Sequence, residues 1–294
     1  MTLIRPLRIQ HTLSNPVSVS GFGYWSGLDV RIEFRPAAID AGITFVRADL
    51  PDQPRIPACV GNRIDLPLRT ALASGTASVE MVEHIMAALA SEEVDNCEVW
   101  VDRAEMPGMD GSSQAFVDAL RSVSRVNQAR SRARLVVTEP IRVGDETSWI
   151  EATPSHHGEY YVEYQLDYTS CPAIGRQCFG IETGRDTFAN QLANARTFLL
   201  EQEAQWLRDQ GLGQKVTYQD LLVFGAEGPI NNTLRYEDEC VRHKTLDVIG
   251  DLALAGYDLD ARIVACRSGH RLNAEMVRCL LHQAKLEEDL RKSA

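Results

Sequence analysis

His243, Asp247 and Asp251 follow one another at intervals of four residues within Val241–Leu254, so on a helix all three project from one face. Leu246, Ile249 and Ala253 fill the stripe beside them. An imidazole and a carboxylate one turn apart can grip a single cation, and the same spacing also suits an ion pair on a solvated face. A second polar pair shifts the balance toward the metal. Glu83 and His84 sit inside the apolar run of Val82, Ile85, Met86 and Leu89, where such groups need a buried partner or a chemical role. Two histidines and one carboxylate leave a tetrahedral ion one position for water, the arrangement of a catalytic zinc site and not of a closed structural one. Such an ion lowers the pKa of that water toward neutrality. Glu83, beside one ligand, is the candidate to take the water's proton. His270, in the turn Ser268-Gly269-His270, is the candidate to return a proton to a leaving nitrogen, with Asp251 to orient its ring.

Elements far apart in the chain must carry these residues to one place. Val17 and Val19, then Val30, Ile32 and Phe34, alternate with polar residues around the turn Gly21–Gly27 and predict a hairpin. Residues 43–46 read as a strand, 78–90 as an amphipathic helix with Val82, Ile85, Met86 and Leu89 on one face, 97–101 as a strand and 115–123 as a second helix. Residues 125–134 are polar and basic without apolar periodicity. They read as a linker, which puts a boundary between an N-terminal α+β domain, 1–128, and a C-terminal one, 129–294. Beyond it come strands at 135–137, 141–143, 149–152 and 161–166, helices at 187–200 and 239–255, and a strand at 263–266. Gly256 stops the second of those helices. Asn273 reads as the N-cap of a closing helix that buries Met276, Val277, Leu280 and Leu281. Each half thus runs strands, helix, strand, helix, which predicts two similar α+β units.

The whole chain narrows the chemistry further. Its 294 residues are long enough for two hydrophobic cores, and 44% of them are hydrophobic, an ordinary globular share. A formal net charge of -11 repels nucleic acid and anionic membranes. An anionic substrate therefore needs a local basic cluster, for which Lys244 with Arg235, Arg242 and Arg267 is the candidate. Seven cysteines, odd in number and without paired spacing, read as reduced cytosolic usage. Residues 1–10 lack a signal-peptide core and no stretch approaches a membrane span, so a cytoplasmic protein is expected. The glycine-rich turn at 21–27 leads into a strand and not a helix, which excludes a phosphate loop.

Five separated stretches carry a resemblance. Val82-Glu83-His84, Met109-Asp110-Gly111-Ser112, Ala195-Arg196-Thr197-Phe198, the run His243-Lys244-Thr245-Leu246-Asp247-Val248-Ile249-Gly250-Asp251, and Gly269-His270-Arg271-Leu272-Asn273 occur in an order and over a span that resemble the UDP-3-O-acyl-N-acetylglucosamine deacetylases. The resemblance implies an α+β fold of two similar domains, each a sheet with helices, packed so that the helices are sandwiched between the sheets. It implies Zn2+ held by His84, His243 and Asp247, with Glu83 as general base and His270 as general acid backed by Asp251. It also implies that Thr197 stabilises the oxyanion, that Lys244 contacts the anionic part of the substrate, and that Phe198 packs on the sugar and Tyr168 on the uracil. The implied reaction is removal of the acetyl group from UDP-3-O-(3-hydroxyacyl)-N-acetylglucosamine, the committed step of lipid A synthesis, by a cytoplasmic monomer with no nucleic-acid partner and no stable membrane insertion.

An insert near 201–225 is implied to line a passage for the acyl chain, where Trp206, Leu207, Leu212, Val216, Leu221 and Leu222 lie here. Each methylene buried there contributes about 0.8 kcal/mol. Trp25, Cys171 and the pair Leu199 and Leu200 depart from the family pattern and bear on the fit around the substrate. Two other readings stand beside this one: a binder of a UDP-lipid that does not cleave it, and a zinc hydrolase of another acylated sugar. Ligand type by itself accepts iron as well as zinc.

Overall fold

In the computed structural model, which describes residues 3–155 and 158–292, the alternation at Val30, Ile32 and Phe34 becomes a strand with those three side chains buried and their neighbours turned outward. Fully burying side chains of this size stabilises by about 1.5–3 kcal/mol each. The N-terminal half consists of β1 (Leu3–Leu13), β2 (Val17–Phe22), β3 (Asp29–Pro36), β4 (Ile43–Arg47), β5 (Arg55–Pro57), β6 (Arg63–Leu66), β7 (Arg69–Ser74), β8 (Ala77–Glu80), α1 (Glu83–Ser91), β9 (Cys97–Val101) and α2 (Gln114–Arg121). The chain continues through β10 (Arg125–Val136), β11 (Ile141–Gly144), β12 (Trp149–Thr153), β13 (Tyr160–Tyr168), β14 (Gly175–Glu182), α3 (Arg185–Gln191), β15 (Phe198–Leu200), α4 (Glu201–Asp209), β16 (Leu222–Phe224), α5 (Glu239–Leu252), β17 (Asp258–Cys266) and α6 (His270–Lys292).

The two halves share one topology. In the first, the strand order is β2-β3-β9-β4-β5, with β9 antiparallel to β3 and parallel to β4. In the second it is β11-β12-β17-β13-β14, with β17 antiparallel to β12 and parallel to β13. Each last strand thus slots between the second and third of its own unit. The connecting helices α1 and α5 pack against each other, α2 lies against β2, α5 against β13 and β14, and α6 against β11 and β12. The result is an α+β molecule in which packed helices, α2 on the first sheet and α5 and α6 on the second, join the two halves through α1. A small sheet, β6-β7-β8, and a parallel pair, β15 and β16, are added to this frame.

Several segments differ from the sequence-based expectation. Residues 125–134 are not a linker: they belong to β10, which pairs antiparallel with β1 and parallel with β17, so the boundary expected at 128/129 falls inside a strand. Its polarity is explained by ion pairing, since Arg132 reaches Asp95 at 3.1 Å and Asp258 at 3.2 Å. The helix expected from residue 78 starts at Glu83, because 77–80 pair with β7 and Met81 turns the chain at φ 59. The helix expected over 187–200 ends at Gln191, and 198–200 pair with 222–224 instead. The closing helix begins at His270, so Asn273 lies inside its first turn and is not the N-cap. Gly256 does stop the segment 239–255, in the left-handed region at φ 73. All seven cysteines are free thiols. Among the described residues no helix is long and apolar enough to cross a membrane.

Candidate metal centre

α5 places His243, Asp247 and Asp251 on a buried face, each 3% exposed or less, and the first turn of α1 places Glu83 and His84 opposite them. The helices approach closely because position 250 is glycine. A Cβ there would lie 2.1 Å from the Glu83 carbonyl oxygen. One ligand-capable atom from each of His84, His243 and Asp247 lies within 4.8 Å of the others. Asp247 Oδ1 is 3.5 Å from His243 Nε2 and 3.7 Å from His84 Nε2, and the two rings stand nearly perpendicular at 84°.

Hydrogen bonding decides what these atoms can be. His243 Nδ1 lies 3.1 Å from the Ala195 carbonyl, which only accepts, so Nδ1 carries the proton and Nε2 presents a lone pair. Burial holds the His243 and His84 imidazoles below the usual range, His84 at about 3, with His243 adding to the effect on His84. Burial would raise the Asp247 carboxyl, but Lys244 and the neighbouring histidines outweigh it and keep it well below the usual range. Its Oδ2 accepts from Lys244 Nζ at 2.7 Å. Its Oδ1 is buried with no partner. One carboxylate oxygen and the Nε2 atoms of two buried imidazoles thus converge with no hydrogen bond joining Asp247 Oδ1 to either ring, a costly arrangement unless a cation sits there. The donor set of two nitrogens and one oxygen fits zinc.

The proton-transfer candidates flank this point. Burial, with Asp247 and Asp251 adding to it, pushes Glu83 up to about 7, although His270 opposes them. Glu83 Oε2 accepts from the Thr70 backbone N–H at 3.0 Å. Burial would lower His270, but its 2.8 Å bond from Nδ1 to Asp251 Oδ2 dominates and raises it to about 9. Asp251 also accepts from Asn273 Nδ2 at 2.8 Å and from the Thr70 hydroxyl at 2.5 Å.

The loop that carries Thr197 is pinned from two sides. Thr197 N–H donates to the Gly111 carbonyl at 2.7 Å, and buried Arg196 is locked by Glu239 through Nε at 2.8 Å. Gly111, at φ 81, has no room for a Cβ, which would meet Thr197 Cγ2 at 2.9 Å. The Thr197 hydroxyl has no hydrogen-bond partner among the described residues.

A cavity of about 1050 Å³ opens over this cluster and is lined by Glu83, His84, Thr197, His243, Asp247 and His270, as well as Lys244, Phe198 and Tyr168. Phe198 is largely buried and stacks edge-on with Tyr168 at 5.5 Å and with Phe224 at 6.2 Å, so it serves the core and the cavity wall together. The basic cluster is not the one expected. Arg267 lines the cavity, but Arg235 turns away to Asp110 at 2.7 Å and Arg242 to Asp238 at 2.6 Å. Arg63 and Arg271, which sequence reasoning did not single out, line it as well. Of the apolar residues expected in the acyl passage, Leu221 lines the cavity, Leu207 and Leu222 pack in the interior, and Trp206 is 59% exposed on α4. The remaining apolar wall includes Leu199 and Leu200 and, from the N-terminal half, Trp25, Leu66 and Leu68. Arg69 stacks 4.3 Å over the Trp25 ring.

Residues 10–282 match the family model described as UDP-3-O-acyl N-acetylglycosamine deacetylase. Among similar proteins, the UDP-3-O-acyl-N-acetylglucosamine deacetylase of Trichormus variabilis is 37% identical over 277 residues, covering 92% of this chain and 98% of that protein. The protein of the same name from Brucella ovis is 37% identical over 274 residues, covering 92% of this chain and 95% of its own.

Proposed function

This chain belongs to the UDP-3-O-acyl N-acetylglycosamine deacetylase family, and from that membership we propose that it hydrolyses the acetamide of a UDP-3-O-(3-hydroxyacyl)-N-acetylglucosamine in the cytoplasm. Acetate and the UDP-3-O-acyl-glucosamine leave, which is the committed step of lipid A biosynthesis. The observation that carries a metal-dependent mechanism is the buried Asp247 Oδ1, without a hydrogen-bond partner, facing the Nε2 atoms of His243 and His84. We assign His84, His243 and Asp247 as the residues that would hold zinc. Held there, zinc would supply Lewis acidity toward the acetyl carbonyl and toward a water.

The chain's own groups do the rest. Glu83 takes the proton of the attacking water, a role suited to a carboxyl titrating at about 7. Thr197 offers its hydroxyl to the oxygen on which negative charge develops. His270, protonated up to about pH 9 and held through Nδ1 by Asp251, hands its Nε2 proton to the departing nitrogen, which is a poor leaving group until it is protonated. Lys244 and Arg267 face the diphosphate, Phe198 bears on the sugar and Tyr168 on the uracil. The apolar wall from both halves, with the segment 201–225, takes the acyl chain.

Glu83→Gln tests the assignment. It keeps the shape and the metal ligands but cannot accept the proton, so acetate release should fall about 10²–10⁴-fold while elemental analysis still finds one zinc per chain. Undiminished release would overturn the role of Glu83, and iron in place of zinc would revise the metal.

A further inference from the structure

Glu83 and His270 sit on different elements, α1 and α6, yet a base and an acid acting on one amide must keep a fixed spacing. Thr70, on β7, touches the support of both. Its backbone N–H donates to Glu83 Oε2 at 3.0 Å, and its carbonyl accepts from Val82 N–H, one residue before Glu83, at 3.2 Å. Its hydroxyl donates to Asp251 Oδ1 at 2.5 Å, and the other oxygen of that carboxylate orients His270. Thr70 is fully buried.

Valine would fill the same volume without the cost of burying a hydroxyl, so as packing alone Thr70 would be the poorer choice. The hydroxyl matters because Asp251 Oδ1 has no other donor among the described residues, and a buried carboxylate oxygen left bare is expensive. The turn that enters β7 also lines the cavity through Leu66 and Leu68. One strand therefore connects the substrate wall, the base and the carboxylate behind the acid.

We propose that Thr70 is a positioning residue that holds Glu83 and the Asp251–His270 pair in register, an inference that rests on the roles given above to Glu83 and His270. Thr70→Val is compared with Thr70→Ser, Asp251→Asn and the double variant T70V/D251N, each checked for an unchanged melting transition and zinc content. T70V should lower kcat by about 10–100-fold, the range seen when a hydrogen-bond partner behind a metal ligand is removed and taken here as the scale for one behind the acid, with KM unchanged. T70S should recover most of the rate. In the D251N background T70V should add no further loss, because its hydroxyl acts through Asp251.

Wild-type kcat in T70V, a T70S variant as slow as T70V, or the same loss in both backgrounds would overturn the proposal. Should T70V not fold, Thr70→Ala in the same two backgrounds makes the same comparison. A fully active Glu83→Gln would instead sink the underlying roles, whereas an inactive Glu83→Gln beside an unaffected T70V would sink only the part given to Thr70.

Discussion

At the scale of single residues, burial and neighbouring charge together set the titration of the candidate site's groups. His270 is lifted to about 9 because Asp251 outweighs the burial that would lower it. As the proposed acid it must carry its proton, so activity is lost as pH rises through that value. Asp251→Asn removes the charge, and the His270 pKa then falls back toward or below its ordinary value near 6.5. The basic limb of kcat/KM should accordingly lie near pH 9 in the wild-type protein and move to lower pH in D251N. A limb that stays in place would show that another group limits the rate. Lys244 serves two ends at once, because its Nζ holds Asp247 Oδ2 at 2.7 Å, which leaves Oδ1 for the proposed cation, while the side chain also lines the cavity.

Among the elements, the contact between α1 and α5 sets how far apart the ligands stand. Gly250 lies where the two helices approach closely, and alanine there would normally favour a helix by about 1 kcal/mol. The Glu83 carbonyl oxygen, 2.1 Å from the added Cβ, is backbone and cannot swing aside. Overpacking should therefore win, and Gly250→Ala should destabilise the protein by about 1–3 kcal/mol in urea unfolding, with a loss of activity as α1 shifts. A more stable variant would show that the helices have slack. The same logic explains Gly111, whose left-handed φ of 81 and lack of room let the loop carrying Thr197 close down.

For the whole molecule, the proposed zinc ligands come from both topological repeats, His84 from the first and His243 and Asp247 from the second. Metal binding should then stabilise the assembled protein as well as enable catalysis. At free metal one hundred times Kd the linkage contributes about 2.7 kcal/mol, so a chelator should lower the melting temperature by several degrees and His84→Ala should abolish that difference. No shift on chelation would argue against a cation bridging the halves. The strands β1 and β10 supply a second tie, with Asp95 from one half and Asp258 from the other sharing Arg8 and Arg132.

The sequence by itself determined which residues had chemistry to offer, because His243, Asp247 and Asp251 obey the helical period and Glu83 and His84 interrupt an apolar run, and both signals are local. It also carried the repeated order of strands and helices, which became two sheets of one topology. What lay beyond it depended on contacts between distant segments. The basic stretch 125–134 looked like a linker because its partners, β1, Asp95 and Asp258, are remote in sequence. The first turn of α6 gained His270 because Asp251 and Asn273 meet there, and Arg235 and Arg242 left the expected basic cluster for carboxylates nearer to hand. Thr70 had no signature at all, since a threonine in a strand is commonplace until the fold brings Glu83 and Asp251 to its two ends. Spacing along one element is written in the chain, but distances between elements come into being only when the cores pack and every buried donor must find its acceptor.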